Sequence, residues 1–187
     1  MKKVLLFAAF AVFAFTTAQS QEIRFGAKAG LNIASLGGDG IGAGSLGSRT
    51  SFHIGGLAEI PLSEKFALQP EILYSSEGAD WSWGLGSNDI KLDYIRIPVL
   101  AKYYIIEGLS GELGPNFGVL ASAKAGDEDV KDGMNSFDVG LAIGASYRLN
   151  MGVFFSLRYN KGFMNVHDDS DLKQQSNVFQ ISAGYSF

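Results

Sequence analysis

The chain has 187 residues, 47% of them hydrophobic and only 18% charged, with 24 Gly and no Cys. That length bounds a single domain, and the missing Cys excludes a disulfide framework, a thiolate metal site and a Cys nucleophile. A formal charge of −4 lacks the basic face that phosphate backbones require, so no nucleic-acid partner is expected.

Residues 1–20 read as a signal peptide. Lys2 and Lys3 form a positive n-region, residues 4–15 are an uncharged apolar h-region, and Ala18 and Ser20 place small side chains where a signal peptidase reads. Cleavage is expected before Gln21. Twelve apolar residues fall short of the about 20 that a membrane-spanning helix needs. Loss of Lys2 and Lys3 leaves 13 basic against 19 acidic side chains, a charge of −6 for the domain at 21–187.

The rest of the chain alternates apolar and polar residues with period two, the mark of two-faced strands. The first strand, near 22–34, sets Ile23, Phe25, Ala27, Ala29, Leu31 and Ile33 against Arg24, Gly26, Lys28, Gly30 and Asn32. The second, near 51–61, carries His53 and Glu59 on its polar face, and the third, near 65–77, carries Glu71. The fourth, near 89–105, changes phase. Ile90, Leu92 and Tyr94 are apolar at even positions, then Ile95, Ile97, Val99, Ala101 and Tyr103 at odd ones. A β-bulge swaps faces and tolerates a nearby Pro such as Pro98, so a bulge is predicted at Tyr94–Ile95. The fifth strand, near 108–121, brings Glu112, Gly114 and Gly118; the sixth, near 136–149, opposes Phe137, Val139, Leu141 and Ile143 to Asp138, Gly140, Gly144 and Arg148. The seventh, near 151–163, alternates Val153, Phe155, Leu157 and Tyr159 with Ser156, Arg158 and Asn160. The eighth, near 176–187, alternates Phe179, Ile181, Ala183, Tyr185 and Phe187 with Gln180, Ser182, Gly184 and Ser186.

The predicted connections are long at 35–50, 78–88, 122–135 and 164–175, and short around Ser63, Glu107 and Asn150. Strict alternation of long and short connections suits an outer-membrane barrel, whose short turns lie in the periplasm and long loops outside. The predicted fold is therefore all-β: an eight-stranded antiparallel up-and-down transmembrane β-barrel of the cell outer membrane.

The polar face is rich in Gly beside a few long charged residues. Inside a narrow bore small side chains must sit beside large ones, so this face is assigned to the interior and the apolar face to lipid. Tyr103, Tyr147, Tyr159, Tyr185 and Phe187 then fall near strand ends, as interfacial girdles do. The expected interior polar network comprises Arg24, Lys28, Glu59, Glu71, Arg96, Lys102, Glu112, Asp138, Arg148 and Arg158. Buried charges of both signs must pair, so a filled, ion-paired bore is expected ahead of a conducting one.

Three runs resemble the PorT-like outer-membrane β-barrel family ("porin family") typical of Bacteroidota: FGAKAGLN at 25–32, LQPEILYS at 68–75 followed by Gly78, and YIRIPVLAKY at 94–103. The terminal Tyr185 and Phe187 look like the aromatic end that barrel-assembly machinery recognises. The resemblance implies an outer-membrane barrel. The family's namesake is linked to protein secretion, and most members have no established activity.

Other motifs carry less chemistry. Gly42, Gly44 and Gly47 match the dinucleotide spacing, but a strand follows them where that site needs a helix, so a Gly-rich surface loop is expected. His167 beside Asp168 offers a general base at the fourth loop without a positioned nucleophile. Asp127, Glu128, Asp129 and Asp132 lack the EF-hand spacing and read as a solvated acidic loop. Trp81 and Trp83 read as an interfacial anchor or as a loop contact for a surface protein. No catalytic residue, metal site or cofactor is expected. The expected partners are outer-membrane lipid and lipopolysaccharide, the assembly machinery through Phe187, and a surface protein. Three functions follow: a closed barrel serving envelope integrity or surface interaction, a small porin-like channel, or an enzyme at the fourth loop.

Overall fold

The computed structural model describes residues 22–37, 46–83, 86–126, 128–165 and 175–187. The leader at 1–20, the glycines Gly42 and Gly44, and the segment around His167 lie outside the described residues, as does Asp127.

Eight long strands form one antiparallel ring: β1 (Arg24–Gly37), β2 (Leu46–Pro61), β3 (Phe66–Trp83), β4 (Gly86–Ile106), β5 (Leu109–Ala125), β7 (Phe137–Arg148), β8 (Val153–Gly162) and β9 (Gln175–Ser186). Sequence neighbours pair throughout, and β1 pairs with β9, which closes the sheet on itself. A two-residue strand, β6 (Glu128–Asp129), pairs with Lys124 and Ala125 at the outer end of β5, and one 3₁₀ turn (Lys131–Gly133) follows. Closure leaves no unpaired edge, which a sheet in hydrocarbon requires.

Burial alternates along the strands. In β8 every second residue from Phe154 to Gly162 is buried and Phe155, Leu157 and Tyr159 are exposed. The exposed set includes Phe25, Leu31, Ile54, Ile72, Leu113, Leu141, Ile143 and Ile181, all more than 40% accessible. The buried set includes Lys28, Glu71, Arg96, Glu112 and Arg158. A water-soluble sheet reverses this order, so the apolar face meets lipid and the charged face fills the bore. Tyr103, Tyr147, Tyr185 and Phe187 are exposed toward the end that carries the short turns, and Tyr159 is exposed toward the other. The turn between β4 and β5 is tight because Gly108 adopts φ +80°, a conformation that side chains with a Cβ resist. Short turns face the periplasm, which fixes the other end as extracellular.

Two expectations are corrected. The connection expected at 78–88 is largely strand. β3 and β4 run 18 and 21 residues and pair as far as Trp83 and Gly86, whereas β8 has 10. The hairpin therefore continues well past the roughly 9–11 residues that cross the membrane. Secondly, β4 never changes face. Leu92, Tyr94, Arg96, Leu100 and Lys102 are all buried, in one unbroken parity. The bulge lies on the neighbouring strand: Asp93 pairs with Ser122 and Tyr94 with Leu120, so Ala121 is the extra residue. The phase change in β4 reflects a change of interior, from charged below Tyr94 to apolar above it.

Candidate functional site

Apart from the outward lipid face, the distinctive chemistry of this molecule is the packed column of polar side chains in the bore. It has three tiers.

At the periplasmic mouth, Glu59 gathers three cations. Arg24 and Arg148 both donate to its Oε1, at 3.0 and 2.9 Å, and Lys102 donates to Oε2 at 2.9 Å. Arg24 faces Glu59 directly in the β1–β2 register. Lys102 also lies 3.8 Å from Glu112.

The middle tier centres on Arg158. Its guanidinium forks onto Glu71 with two bonds of 2.8 Å and donates to Glu112 at 2.8 Å. Lys28 reaches Glu71 at 2.8 Å, and Gln69 donates to the same carboxylate at 2.7 Å. All five side chains are buried. Just above, His53 Nδ1 donates to Asn32 Oδ1 and its Nε2 faces the Ser182 hydroxyl, both at 2.8 Å. Asn32 also donates to the Ser76 carbonyl at 2.7 Å and accepts from Gln180 at 3.0 Å.

The outer tier is built on Arg96. It forks onto Glu77 at 2.9 and 2.7 Å and donates to Asp138 at 2.5 Å. Ser75 and Ser176 donate to Glu77, each at 3.0 Å. Above this tier the bore is apolar: Ala79, Leu92, Tyr94, Leu120 and Ala123 pack together, and Met134 folds in over them.

Glycine explains how these pairs reach across a sheet. Gly118 lies between Arg96 on β4 and Asp138 on β7 in the register. Gly144 lies between Glu112 on β5 and Arg158 on β8, and Gly30 between His53 on β2 and Ser182 on β9. In each case the side chains join over a strand that offers none. A Cβ at Gly118 sits 2.5 Å from Arg96 Nη1, and one at Gly30 sits 2.8 Å from the His53 ring. These contacts are too short to keep, so the glycines are gaps that the paired side chains occupy.

The ten residues assigned to the interior from sequence all fall within these tiers: Arg24, Glu59, Lys102 and Arg148 at the mouth, Lys28, Glu71, Glu112 and Arg158 in the middle, Arg96 and Asp138 outermost. The structure adds Glu77, the main partner of Arg96. Its signal was available, since Glu77 shares the parity of Glu71 on the same strand. Trp81 and Trp83 pair through their backbones with Asn88 and Gly86 at the tip of the β3–β4 hairpin; their side chains are outside the described residues. Phe187 closes the barrel seam, its N–H donating to the Phe25 carbonyl at 2.8 Å.

The column leaves little room. Two narrow voids within it, one beside Lys102 and Arg158 and one beside Asp138 and Asn116, hold about 10 Å³ each. That is the space of a single water.

A family model described as "Outer membrane protein beta-barrel domain" matches residues 17–168. Among solved structures, the fold is similar to that of Neisserial surface protein A (NspA), with a TM-score of 0.58 and 18% identity over 89% of this chain and 100% of that one. It is also similar to Ail, the attachment invasion locus protein of Yersinia pestis, with a TM-score of 0.54 and 14% identity over 89% of this chain and 100% of that one. At these identities the likeness is one of fold. No curated protein matches the chain in sequence.

Proposed function

Since the chain belongs to the outer membrane protein β-barrel domain family, we propose that it is a closed, non-enzymatic barrel that serves envelope integrity or surface interaction through its extracellular side. One observation carries this reading: buried, ion-paired side chains fill the bore, and the voids between them hold about 10 Å³. A hydrated ion needs a continuous water column, and Arg158, Glu71 and Glu112 occupy the axis where that column has to run. The tall β3–β4 hairpin supports a surface role, because it carries Trp81 and Trp83 beyond the membrane-crossing length.

The partners that fit are outer-membrane lipid and lipopolysaccharide around the apolar belt, barrel-assembly machinery at Phe187, and a surface protein at the hairpin. The finer placement among PorT-like barrels rests on the runs at 25–32, 68–75 and 94–103. They supply structural members of the tiers: Lys28, Glu71, Arg96 and Lys102.

Planar-bilayer recording tests the closed bore. The folded protein is expected to insert without resolvable current steps. Steady single-channel steps at neutral pH favour the porin-like alternative and overturn this reading.

A further inference from the structure

The periplasmic mouth contains a second piece of chemistry. Arg24 and Arg148 both spend one Nη1 donor on the same oxygen of Glu59. A guanidinium has five N–H donors, and among the described residues neither arginine has another hydrogen-bond acceptor. Their side chains are 45% and 25% exposed, against 2% for Arg158. Both line a recess of about 810 Å³ that opens to the periplasm, and both line a neighbouring one of about 500 Å³. A recess of several hundred Å³ is the size of a small-ligand site. Below it the bore is blocked by Glu59, Lys102 and Arg148, which also line the 10 Å³ void beneath. The hydroxyl of Tyr104 is buried in the same wall, beside Glu59.

The charges are layered. Arg24, Arg148 and Lys102 surround a single carboxylate at the floor, so the floor carries surplus positive charge. Glu22, Glu64 and Glu107 line the same recess from the turns and the chain entry, with Lys65 beside them. A dense anion such as a phosphate dianion has to pass those three carboxylates. A monoanionic carboxylate joined to a cation meets complementary charge at both depths.

We propose that this mouth is a binding site for a small amphoteric oxyanion, of the type presented by the free carboxyl end of a short basic peptide in the periplasm. Arg24 and Arg148 hold the carboxylate through their unused donors, with the Tyr104 hydroxyl beside them, and the glutamate rim holds the cationic end. Paired, charge-assisted bonds from two guanidiniums give the selectivity. The site stands whether or not the barrel conducts.

The test uses the folded protein in lipid nanodiscs, where both mouths are accessible, and the tripeptide Lys-Ala-Ala as probe in a calorimetric titration. Saturable binding is expected for the free acid, with a loss on the order of tenfold for its C-terminal amide and a similar loss for the Arg24→Gln/Arg148→Gln variant. Glu64→Gln/Glu107→Gln is expected to weaken the tripeptide and to strengthen inorganic phosphate. Equal binding of acid and amide overturns the proposal, as does an unchanged affinity in the arginine variant or tighter binding of phosphate than of peptide by the unaltered protein. Should the double arginine variant fail to fold, the amide comparison on the unaltered protein and the single Arg24→Gln variant, at the half-exposed position, decide the matter alone.

Discussion

The middle and outer parts of the bore solve one problem in two ways. Around Arg158 the space is filled by charges: Glu71, Glu112, Lys28 and Arg158 lock into one another at 2.8 Å. Around Tyr94 it is filled by Ala79, Leu92, Leu120, Ala123 and Met134, with Arg96 stacked 4.3 Å beneath the Tyr94 ring as the boundary. Both regions face inward, and both are packed with buried side chains. The lesson is that an inward position in a narrow barrel is defined by the need to fill volume, and polarity is secondary. The charged tier keeps its place only while every charge keeps its partner; the apolar tier needs only shape.

That contrast fixes the expected order of damage. Removing one partner from the charged tier is the heaviest blow, because it strands the others. Glu71→Ala leaves Arg158 and Lys28 buried with Glu112 alone to balance them. It is expected to cost roughly 3–5 kcal/mol, read as a shift in the urea midpoint of the folded barrel in lipid vesicles. A change within roughly 0.5 kcal/mol means the stranded charges are solvated in this tier and the filled-bore picture fails.

Next comes a change of solvent on the other side of the wall. Leu141 points into lipid on β7, at 41% exposure, while its neighbour Ala142 is fully buried. Leu141→Arg is expected to cost roughly 2–4 kcal/mol at mid-membrane. If it folds in lipid as the unaltered chain does, the faces have been assigned the wrong way round. The companion change Gly144→Leu acts inside, where its side chain collides with the Leu157 carbonyl and the Arg158 backbone. It breaks the Arg158–Glu112 contact by overpacking, which heat-modified gel migration of the folded form detects.

Most of this was legible in the residues, for a reason the two tiers make clear. In the charged tiers polarity and parity agree: Arg158, Glu112 and Asp138 stand among apolar neighbours, and the glycines beside them mark the space they cross. In the apolar region above Arg96 the two signals separate. Leu92 and Tyr94 are apolar yet inward, so alternation of polarity placed a change of face on β4, while the extra residue sits at Ala121 on β5. Nothing in the β5 sequence marks Ala121, because alanine and serine pass on either face. The length of the β3–β4 hairpin was hidden for a similar reason: residues 78–88 are rich in Gly, Asp, Ser and Asn, which read as a loop, but 78–83 and 86–88 are paired strand. Which residues share a tier is a matter of stagger around the ring, and alternation within one strand carries no information about it.

In the apolar tier a truncation removes contacts without stranding a charge. Leu92 is buried at 1% and packs in the cluster with Tyr94 and Met134. Leu92→Ala is expected to cost about 2–3 kcal/mol, at the lower end for such truncations, because Met134 is unbranched and enters from a connection that can settle into the gap. A loss above that of Glu71→Ala in the same urea series reverses the order of the two tiers.

The smallest effect is expected at the mouth, where the charged arrangement continues but water returns. Arg24 and Arg158 make bonds of similar length to carboxylates, 3.0 and 2.8 Å. They differ in surroundings: Arg24 is half-exposed, and Glu59 keeps Arg148 and Lys102 when Arg24 is gone. No charge is stranded and little desolvation is undone, so Arg24→Ala is expected to cost less than about 1 kcal/mol. Raising the salt concentration is expected to shrink that difference further, since exposed pairs are screened, while leaving the Glu71→Ala loss nearly unchanged. Equal salt sensitivity of the two variants means that the middle tier is as wet as the mouth, and the distinction between them dissolves.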